Sequence, residues 1–259
     1  MATRFRRYVA IGDSSTEGLH DPDGSGGFRG WADRLAGHIA THQGGLEYAN
    51  LAIRGRGTAQ IRAEQVPVAL AMEPDLVTVV AGMNDVLNPQ FNVRSVAAEV
   101  EAMFQTFADA GVTVLSLTLP DLTPNLPFTR ITRPRLIALN EELRAAGERV
   151  GVIMVDLGRF DDAANPRLWS EDRLHGNSLG HDVVARALAH GLALPGFDES
   201  WRQPLPPPDR PGRLATVGAD LRWAQAHALP WAWRYLRGRT AGDGLEPKRP
   251  QPLPLAVDA

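Results

Sequence analysis

Residues 8–18, with the sequence YVAIGDSSTEG, lead from an apolar run into a polar turn. The apolar run shows no polar alternation, which is typical of a strand that is covered on both faces. Gly12 ends the strand, and Asp13, Ser14 and Ser15 follow at its carboxyl end. In open α/β sheets the functional crevice lies outside those ends, so the hydroxyl group of Ser14 is predicted to face a cleft. Taken alone, the stretch is more typical of a serine in an ordinary turn between a strand and a helix.

The rest of the chain alternates short strands with helices. The predicted strands are residues 7–11, 47–51, 76–81, 112–117 and 152–156. The predicted helices are residues 30–42, 58–72, 93–110, 134–150 and 178–192. Because parallel strands need long crossover connections, usually helices, this alternation predicts an α/β fold with a parallel sheet covered on both faces.

We expect one α/β domain, residues 1–196, and a C-terminal extension, residues 197–259. The extension begins with a proline-rich linker, residues 204–208, and continues with a predicted helical arm; from residue 242 it is again rich in proline and is predicted to be irregular. Residues 201–259 contain four of the six tryptophans, and nine basic against five acidic residues. We favour an arm that packs on the α/β domain or on a second subunit over a helix that contacts an anionic membrane surface.

The composition excludes several classes of protein. The chain has 259 residues, of which 44% are hydrophobic, enough for a sizeable core. A net charge of −3 gives no argument for nucleic acid as a partner. The absence of cysteine excludes disulfides, thiolate metal sites and a cysteine nucleophile. The N-terminus has no signal-peptide pattern and no stretch approaches the roughly 18 apolar residues of a membrane span, so we expect a cytoplasmic protein and leave its oligomeric state open.

Three further stretches place polar residues near the ends of predicted elements: Asn50–Gly55, Gly82–Asp85 and Asp172–His175. Together with the Gly-Asp-Ser of residues 12–14 they resemble, in the same order, the four sequence blocks of the SGNH (GDSL) hydrolases, over about residues 6–193. One block is a weak signal, whereas four in order are specific. The resemblance implies a flavodoxin-like, three-layer α/β/α sandwich with a five-stranded parallel sheet, and it implies no cofactor and no metal.

The resemblance also implies the roles of five residues. Ser14 is the expected nucleophile, His175 the base that takes its proton, and Asp172 the carboxylate that orients the imidazole. The backbone N–H groups of Ser14 and Gly55 and the side-chain amide of Asn84 are the expected oxyanion hole. Gly55 suits this role because a backbone without a Cβ can approach the substrate closely. As a pair alone, Asp172 and His175 would more often be ordinary polar residues before a helix.

Other side chains near the motifs are candidates for loop support or substrate contact. Asp13 and Asp85 are expected to brace their loops by hydrogen bonds. Arg54 and Arg56 flank Gly55 and are interpreted either as solvated charges or as contacts to an anionic or polyhydroxylated substrate. Seven further side chains near the motifs could line the substrate pocket, and we expect about half of them to be plain core: Met83, Leu87, Phe91, Leu119, Phe128, Trp169 and Leu174.

The leading interpretation is a serine-dependent ester hydrolase, of esterase or lipase type, that works through an acyl-enzyme. The alternative is an acyltransferase of the same fold that passes the acyl group to a sugar or another alcohol. The expected partners are a small-molecule ester or acyl donor and, for the alternative, a carbohydrate acceptor. A non-catalytic binding module is less favoured because the set of expected site residues is complete. Nucleotide binding and metal-dependent hydrolysis are weaker still, because GxGxxG, P-loop and HExxH patterns are absent.

Overall fold

The computed structural model describes residues 4–123, 126–206, 218, 220, 222–228, 230 and 240–255. Within these ranges the strands are β1 (Arg7–Gly12), β2 (Leu46–Asn50), β3 (Leu76–Val80), β4 (Thr113–Leu117), β5 (Ile153–Val155) and β6 (Arg249–Leu255). They form one sheet in the order β5-β4-β3-β1-β2-β6, in which β1 to β5 are parallel and β6 is antiparallel to β2. The predicted α/β fold with a parallel sheet is confirmed, but the predicted number of five strands is one too few.

Helices cover both faces of the sheet. The α-helices are α1 (Ser14–Glu17), α2 (Gly30–Gln43), α3 (Thr58–Glu64), α4 (Val66–Ala71), α5 (Met83–Leu87), α6 (Val93–Asp109), α7 (Arg133–Val150) and α8 (Ser178–Gly191). Helix α2 packs against α8, while α6 packs against α3 and α7. Short 3₁₀ turns lie at Pro127–Ile131, Leu157–Arg159, Pro166–Leu168 and Glu199–Arg202.

The predicted C-terminal arm is described only in part. Residues 222–228 are helical, with a π-helical turn at Ala224–Ala228. Two of the four tryptophans of the extension, Trp231 and Trp233, lie outside the described residues, and the choice between a packed arm and a membrane contact stays a prediction. Among the helices that are described, none is long and apolar enough to span a membrane.

The central strands β1 and β3 are buried along nearly their whole length. Their valines and isoleucine fit this position, because β-branched side chains pack well on a pleated surface. Inside the sheet the hydroxyl groups of Tyr8 and Thr78 are 2.8 Å apart, so each has a hydrogen-bond partner. The polar residues that follow β1 and β3 are therefore attached to well-packed strands.

The prediction of a single helix over residues 58–72 is wrong in one respect. This segment is divided at Gln65 into two helices, α3 and α4. Pro67 lies in the first turn of α4, where its missing N–H costs nothing. The buried amide of Gln65 accepts a hydrogen bond from the N–H of Gly12 at 2.8 Å and donates one to the carbonyl oxygen of Gly12 at 2.9 Å. The break between the helices thus supplies partners for the backbone at the end of β1.

Strand β6 arises from the tail that was predicted to be irregular, and that prediction is wrong for residues 249–255. Leu255 pairs with Leu46, and Arg249 pairs with Asn50. The three prolines of this strand cannot donate to a hydrogen-bond ladder, but an edge strand tolerates them and they discourage the addition of another strand. The C-terminal extension therefore returns to the α/β domain and becomes part of its sheet.

Candidate active site

Ser14 is the first residue of α1 and follows directly after β1. Asp13 caps this helix, since its side chain accepts a hydrogen bond from the N–H of Ser15 at 3.0 Å. Gly12 permits the tight turn, because a Cβ atom at this position would lie 2.7 Å from the carbonyl oxygen of Val80 on the neighbouring strand. Ser14 thus lies at the carboxyl edge of the sheet, as predicted from the sequence.

Residues 170–177, here called the His175 loop, bring two more predicted residues to Ser14. His175 Nε2 lies 2.8 Å from Ser14 Oγ, and His175 Nδ1 lies 2.6 Å from Asp172 Oδ2. The second carboxylate oxygen of Asp172 accepts the hydroxyl group of Ser170 at 2.7 Å and two backbone N–H groups of its own loop at 2.9 and 3.0 Å. The three side chains therefore form one hydrogen-bonded series.

The two acidic residues nearest Ser14 have opposite pKa shifts. Burial alone raises the pKa of Asp172, but hydrogen bonds from His175 and His20 outweigh it and hold this pKa well below its ordinary value. Burial raises the pKa of Asp13 to about 6. Asp172 therefore stays charged near neutral pH, whereas Asp13 takes up a proton under mildly acidic conditions.

His20, which was not predicted from the sequence, shares the Asp172 carboxylate with His175. His20 Nε2 lies 3.0 Å from Asp172 Oδ2, the oxygen that also faces His175, and the two imidazole centroids are 5.6 Å apart. The hydrogen bond to Asp172 raises the pKa of His20. His20 also has a φ of +68°, an uncommon conformation for a residue with a Cβ. No local motif marks it, because its position depends on the tertiary path of the turn after α1.

Among the described residues, His20, Asp172 and His175 form the one group whose imidazole and carboxylate atoms lie close enough, within 4.8 Å, to hold a metal ion. The same atoms already bond to one another, so each has a partner without a metal. The expectation that the protein uses no metal and no cofactor stays a prediction.

Residues 51–57, here called the Gly55 loop, follow β2 on the other side of Ser14. Gly55 has a φ of +78°, which glycine adopts without a steric penalty. The side-chain amide of Asn84, at the start of α5, donates to the carbonyl oxygen of Arg56 at 3.0 Å and to the carboxylate of Asp13 at 3.1 Å. Asn84 therefore connects the Gly55 loop to the turn that carries Ser14.

Asp85 makes the kind of contact expected of a loop brace. Its Oδ2 atom accepts hydrogen bonds from the backbone N–H and the hydroxyl group of Thr58, at 2.9 and 2.6 Å. This contact fixes the start of α3, directly after the Gly55 loop. Asp13 has the equivalent role on the other side through its bonds to Ser15 and Asn84.

The two arginines of the Gly55 loop are paired with acidic side chains. The guanidinium group of Arg54 binds the carboxylate of Glu17, which also accepts the backbone N–H of Arg54 at 2.9 Å. Arg56 lies 2.9 Å from Glu64 and 3.5 Å from Asp243. The side chain of Arg54 remains 25% exposed, and its contact with a substrate stays a prediction.

Three of the predicted pocket residues surround one small cavity. Met83, Leu87 and Leu174 line this space of about 20 Å³ together with residues of α7. Trp169 is not among the residues that line it, and its indole N–H donates to a backbone carbonyl group at 2.8 Å. The side chain of Phe128 lies outside the described part of the structure.

Two hydrolases of known structure share the fold. The acetylxylan esterase Axe2 from Geobacillus stearothermophilus gives a TM-score of 0.63 at 18% sequence identity, with 77% of this chain and 97% of that chain covered. LAE5, an alpha/beta hydrolase enzyme from the metagenome of Lake Arreo in Spain, gives a TM-score of 0.62 at 21% identity, with 73% and 95% covered. At these identities the likeness shows a common fold. No curated protein sequence matches the chain significantly.

A family model provides the closer assignment. The model of the GDSL-like Lipase/Acylhydrolase family matches residues 10–183, which is most of the chain. The matched span contains every residue of the hydrogen-bonded series and both of the loops that flank Ser14. The chain therefore belongs to the GDSL-like lipase/acylhydrolase family.

Proposed function

We propose that the protein hydrolyses a carboxylic ester through an acyl-enzyme on Ser14. The observation that carries this proposal is the series from Ser14 through His175 to Asp172, with distances of 2.8 and 2.6 Å. A free serine hydroxyl group is barely acidic and needs a neighbouring base. Because Asp172 holds the proton on Nδ1 of His175, the lone pair on Nε2 faces the Ser14 hydroxyl group. Two structures of Axe2 described as catalytic mutants replace a serine and a histidine by alanine, which fits these roles.

The reaction proceeds in two half-reactions. The Ser14 oxygen attacks the carbonyl carbon of the ester while its proton passes to His175. The bond between the carbonyl carbon and the alcohol oxygen then breaks, and His175 returns the proton to the departing alcohol. A water molecule next gives a proton to His175 and attacks the acyl carbon. The bond between this carbon and Ser14 Oγ then breaks, the acid is released, and His175 returns its proton to Ser14. Asp172 stabilises the imidazolium without taking its proton, in keeping with its low pKa.

The negative oxygen of each tetrahedral intermediate needs hydrogen-bond donors. We assign these to the backbone N–H groups of Ser14 and Gly55 and to the amide of Asn84. Both hydrogens of the Asn84 amide have partners in the structure, Arg56 and Asp13. On this proposal the amide hydrogen that binds the Asp13 carboxylate turns to the oxyanion when the substrate is bound.

The proposed substrate is an ester of a short acyl group with a polyhydroxylated alcohol. One observation supports this class: a structural relative is an acetylxylan esterase, an enzyme whose name states a short acyl group on a carbohydrate.

The proposal is tested by trapping and by product analysis. A fluorophosphonate should form a covalent adduct on Ser14, identified by peptide mass spectrometry, and it should abolish the cleavage of p-nitrophenyl acetate. Ser15→Ala is the matched control, because the Ser15 hydroxyl group accepts the indole N–H of Trp31 at 3.3 Å and does not face His175. Labelling elsewhere, or full activity in Ser14→Ala, would refute the proposal. Products formed from p-nitrophenyl esters of increasing chain length, with and without a sugar alcohol, separate hydrolysis from acyl transfer.

A further inference from the structure

The C-terminal extension returns to the Gly55 loop through a turn at residues 240–244. A Cβ atom on Gly242 would lie 2.1 Å from the carbonyl oxygen of Arg54, and a Cβ atom on Gly55 would lie 3.1 Å from Cβ of Thr240. The backbone at Gly242 thus approaches the Gly55 loop more closely than a side chain on Gly242 would allow, and the contact at Gly55 is also tight. This contact lies directly on the residue assigned to the oxyanion hole.

The turn is fixed internally, and the chain that follows it is anchored to the α/β domain. Asp243 accepts hydrogen bonds from the backbone N–H and the hydroxyl group of Thr240, at 3.0 and 2.6 Å. Immediately after the turn, the ammonium group of Lys248 lies 2.9 Å from Asp33 and donates to two backbone carbonyl groups between β1 and α2. Strand β6 then joins the sheet. The contacts of Lys248 and β6 therefore hold the turn against the Gly55 loop.

The same extension contacts the His175 loop from the other side of Ser14. The indole N–H of Trp223 donates to the backbone carbonyl oxygen of Asp172 at 2.9 Å. Arg173, which follows Asp172, has a φ of +61°. Its guanidinium group lies 5.6 Å from the centre of the Trp223 ring and 2.6 Å from the carboxylate of Asp220. An uncommon backbone conformation in the loop is thus covered by the extension.

We propose that the C-terminal extension positions both halves of the active site, with Trp223 and Gly242 as the positioning residues. Trp223 holds the backbone that carries Asp172 and His175. Gly242 allows the turn to fix the backbone of Gly55. The proposal rests on the proposed function of Ser14, because positioning is defined by the distance from these loops to the reacting ester. Trp223 and Gly242 would then act on catalysis as well as on the stability of the fold.

Two matched pairs of variants in the full-length protein test the proposal. Trp223→Phe removes the indole donor beside Asp172, and its control is Trp201→Phe, which removes a donor that faces His190 at 3.3 Å. Gly242→Ala places a methyl group against Arg54. Its control is Gly244→Ala, in the same turn, where a Cβ atom meets nothing within 4 Å but the φ of +78° is strained.

The measurements are kcat and KM for p-nitrophenyl acetate, together with the melting temperature. We expect kcat to fall about 10- to 100-fold in Gly242→Ala and several-fold in Trp223→Phe, with KM changing less, because small displacements of catalytic groups act on the transition state. Both controls should keep kcat within about twofold even where the melting temperature falls. The proposal is overturned if each test variant keeps the kcat of its control. If Ser14→Ala also keeps full activity, the proposed function fails as well, so the two failures are distinguishable.

Discussion

The two loops that flank Ser14 are held in place in opposite ways. The His175 loop is held largely by its own atoms, because Asp172 accepts hydrogen bonds from Ser170 and from two backbone N–H groups of the loop. The Gly55 loop is held mainly from outside. Glu17 binds one of its arginines, Asn84 binds one of its carbonyl groups, and Gly242 packs against its backbone. These three residues belong to α1, to α5 and to the C-terminal turn.

This difference predicts how each loop responds to substitution. A loop that is fixed mainly by its own atoms should lose most of its function when its own polar residues change, and only several-fold when an outside contact such as that of Trp223 is removed. A loop held by three separate segments should respond in steps, with each lost contact causing a partial loss, because the remaining contacts still restrict it. Substitutions in the two sets therefore compare the loops directly.

The largest effect is expected from the His175 loop. His175→Ala removes the proposed base, and we expect kcat/KM for p-nitrophenyl acetate to fall by about 10⁴-fold with little change in melting temperature. Asp172→Asn should cause a smaller but still severe loss, about 10²- to 10⁴-fold, because the charge that fixes the imidazole is lost. His42→Ala, at an exposed position at the end of α2, is the control and should be unchanged. More than a few per cent of activity left in His175→Ala would contradict the proposed base.

Asn84→Ala is expected to have the next largest effect. The substitution removes a proposed oxyanion donor and, at the same time, the link between the Gly55 loop and Asp13. We expect kcat to fall by about 10²- to 10³-fold and KM to change far less, because the donor acts on the oxyanion. Steady-state kinetics on the purified variant measure both constants. An effect on KM alone would mean that Asn84 only orients the bound ester.

Glu17→Ala should cause a partial loss, as expected for one of several outside contacts. It removes the acceptor for the backbone N–H of Arg54 and leaves that guanidinium group without its partner. We expect kcat to fall about tenfold. Glu64→Ala removes the ion pair of Arg56 at the other end of the loop, but Glu64 is 43% exposed, so this control should cost little. Equal losses in the two variants would show that the loop is not held specifically by Glu17.

The same contrast explains what the sequence could predict. Asp172 and His175 are three residues apart in a loop that folds on itself, so one short sequence block contains both. Ser14 lies in another such block, directly after a strand. Each block is a weak signal alone, and the four blocks in order made the prediction specific. The contacts of the Gly55 loop with Glu17 and Gly242 join residues that are far apart in the chain, and no local pattern encodes such a pairing.

Strand β6 shows the same limit for the fold. Its alternating prolines are typical of an irregular tail when they are considered alone. They become compatible with a strand only at the edge of a sheet, next to β2. Whether an edge is available depends on the order of the other strands, which the local sequence does not contain.

The smallest effect is expected from His20, whose side chain comes from another segment and contacts the carboxylate of Asp172. The hydrogen bond to Asp172 raises the pKa of His20 above that of a free histidine, so His20 carries a positive charge at the acid end of the activity profile. At 5.6 Å this charge opposes a second positive charge on the His175 ring, by about 1–3 kcal/mol for partly exposed groups. His20→Gln retains an N–H donor for Asp172 but cannot be charged, so the substitution removes this repulsion. We expect the acid limb of kcat/KM to move about one pH unit higher in His20→Gln, with kcat at pH 8 nearly unchanged. A uniform loss at every pH, with the limb in its wild-type position, would show that His20 acts only as a structural support of the loop.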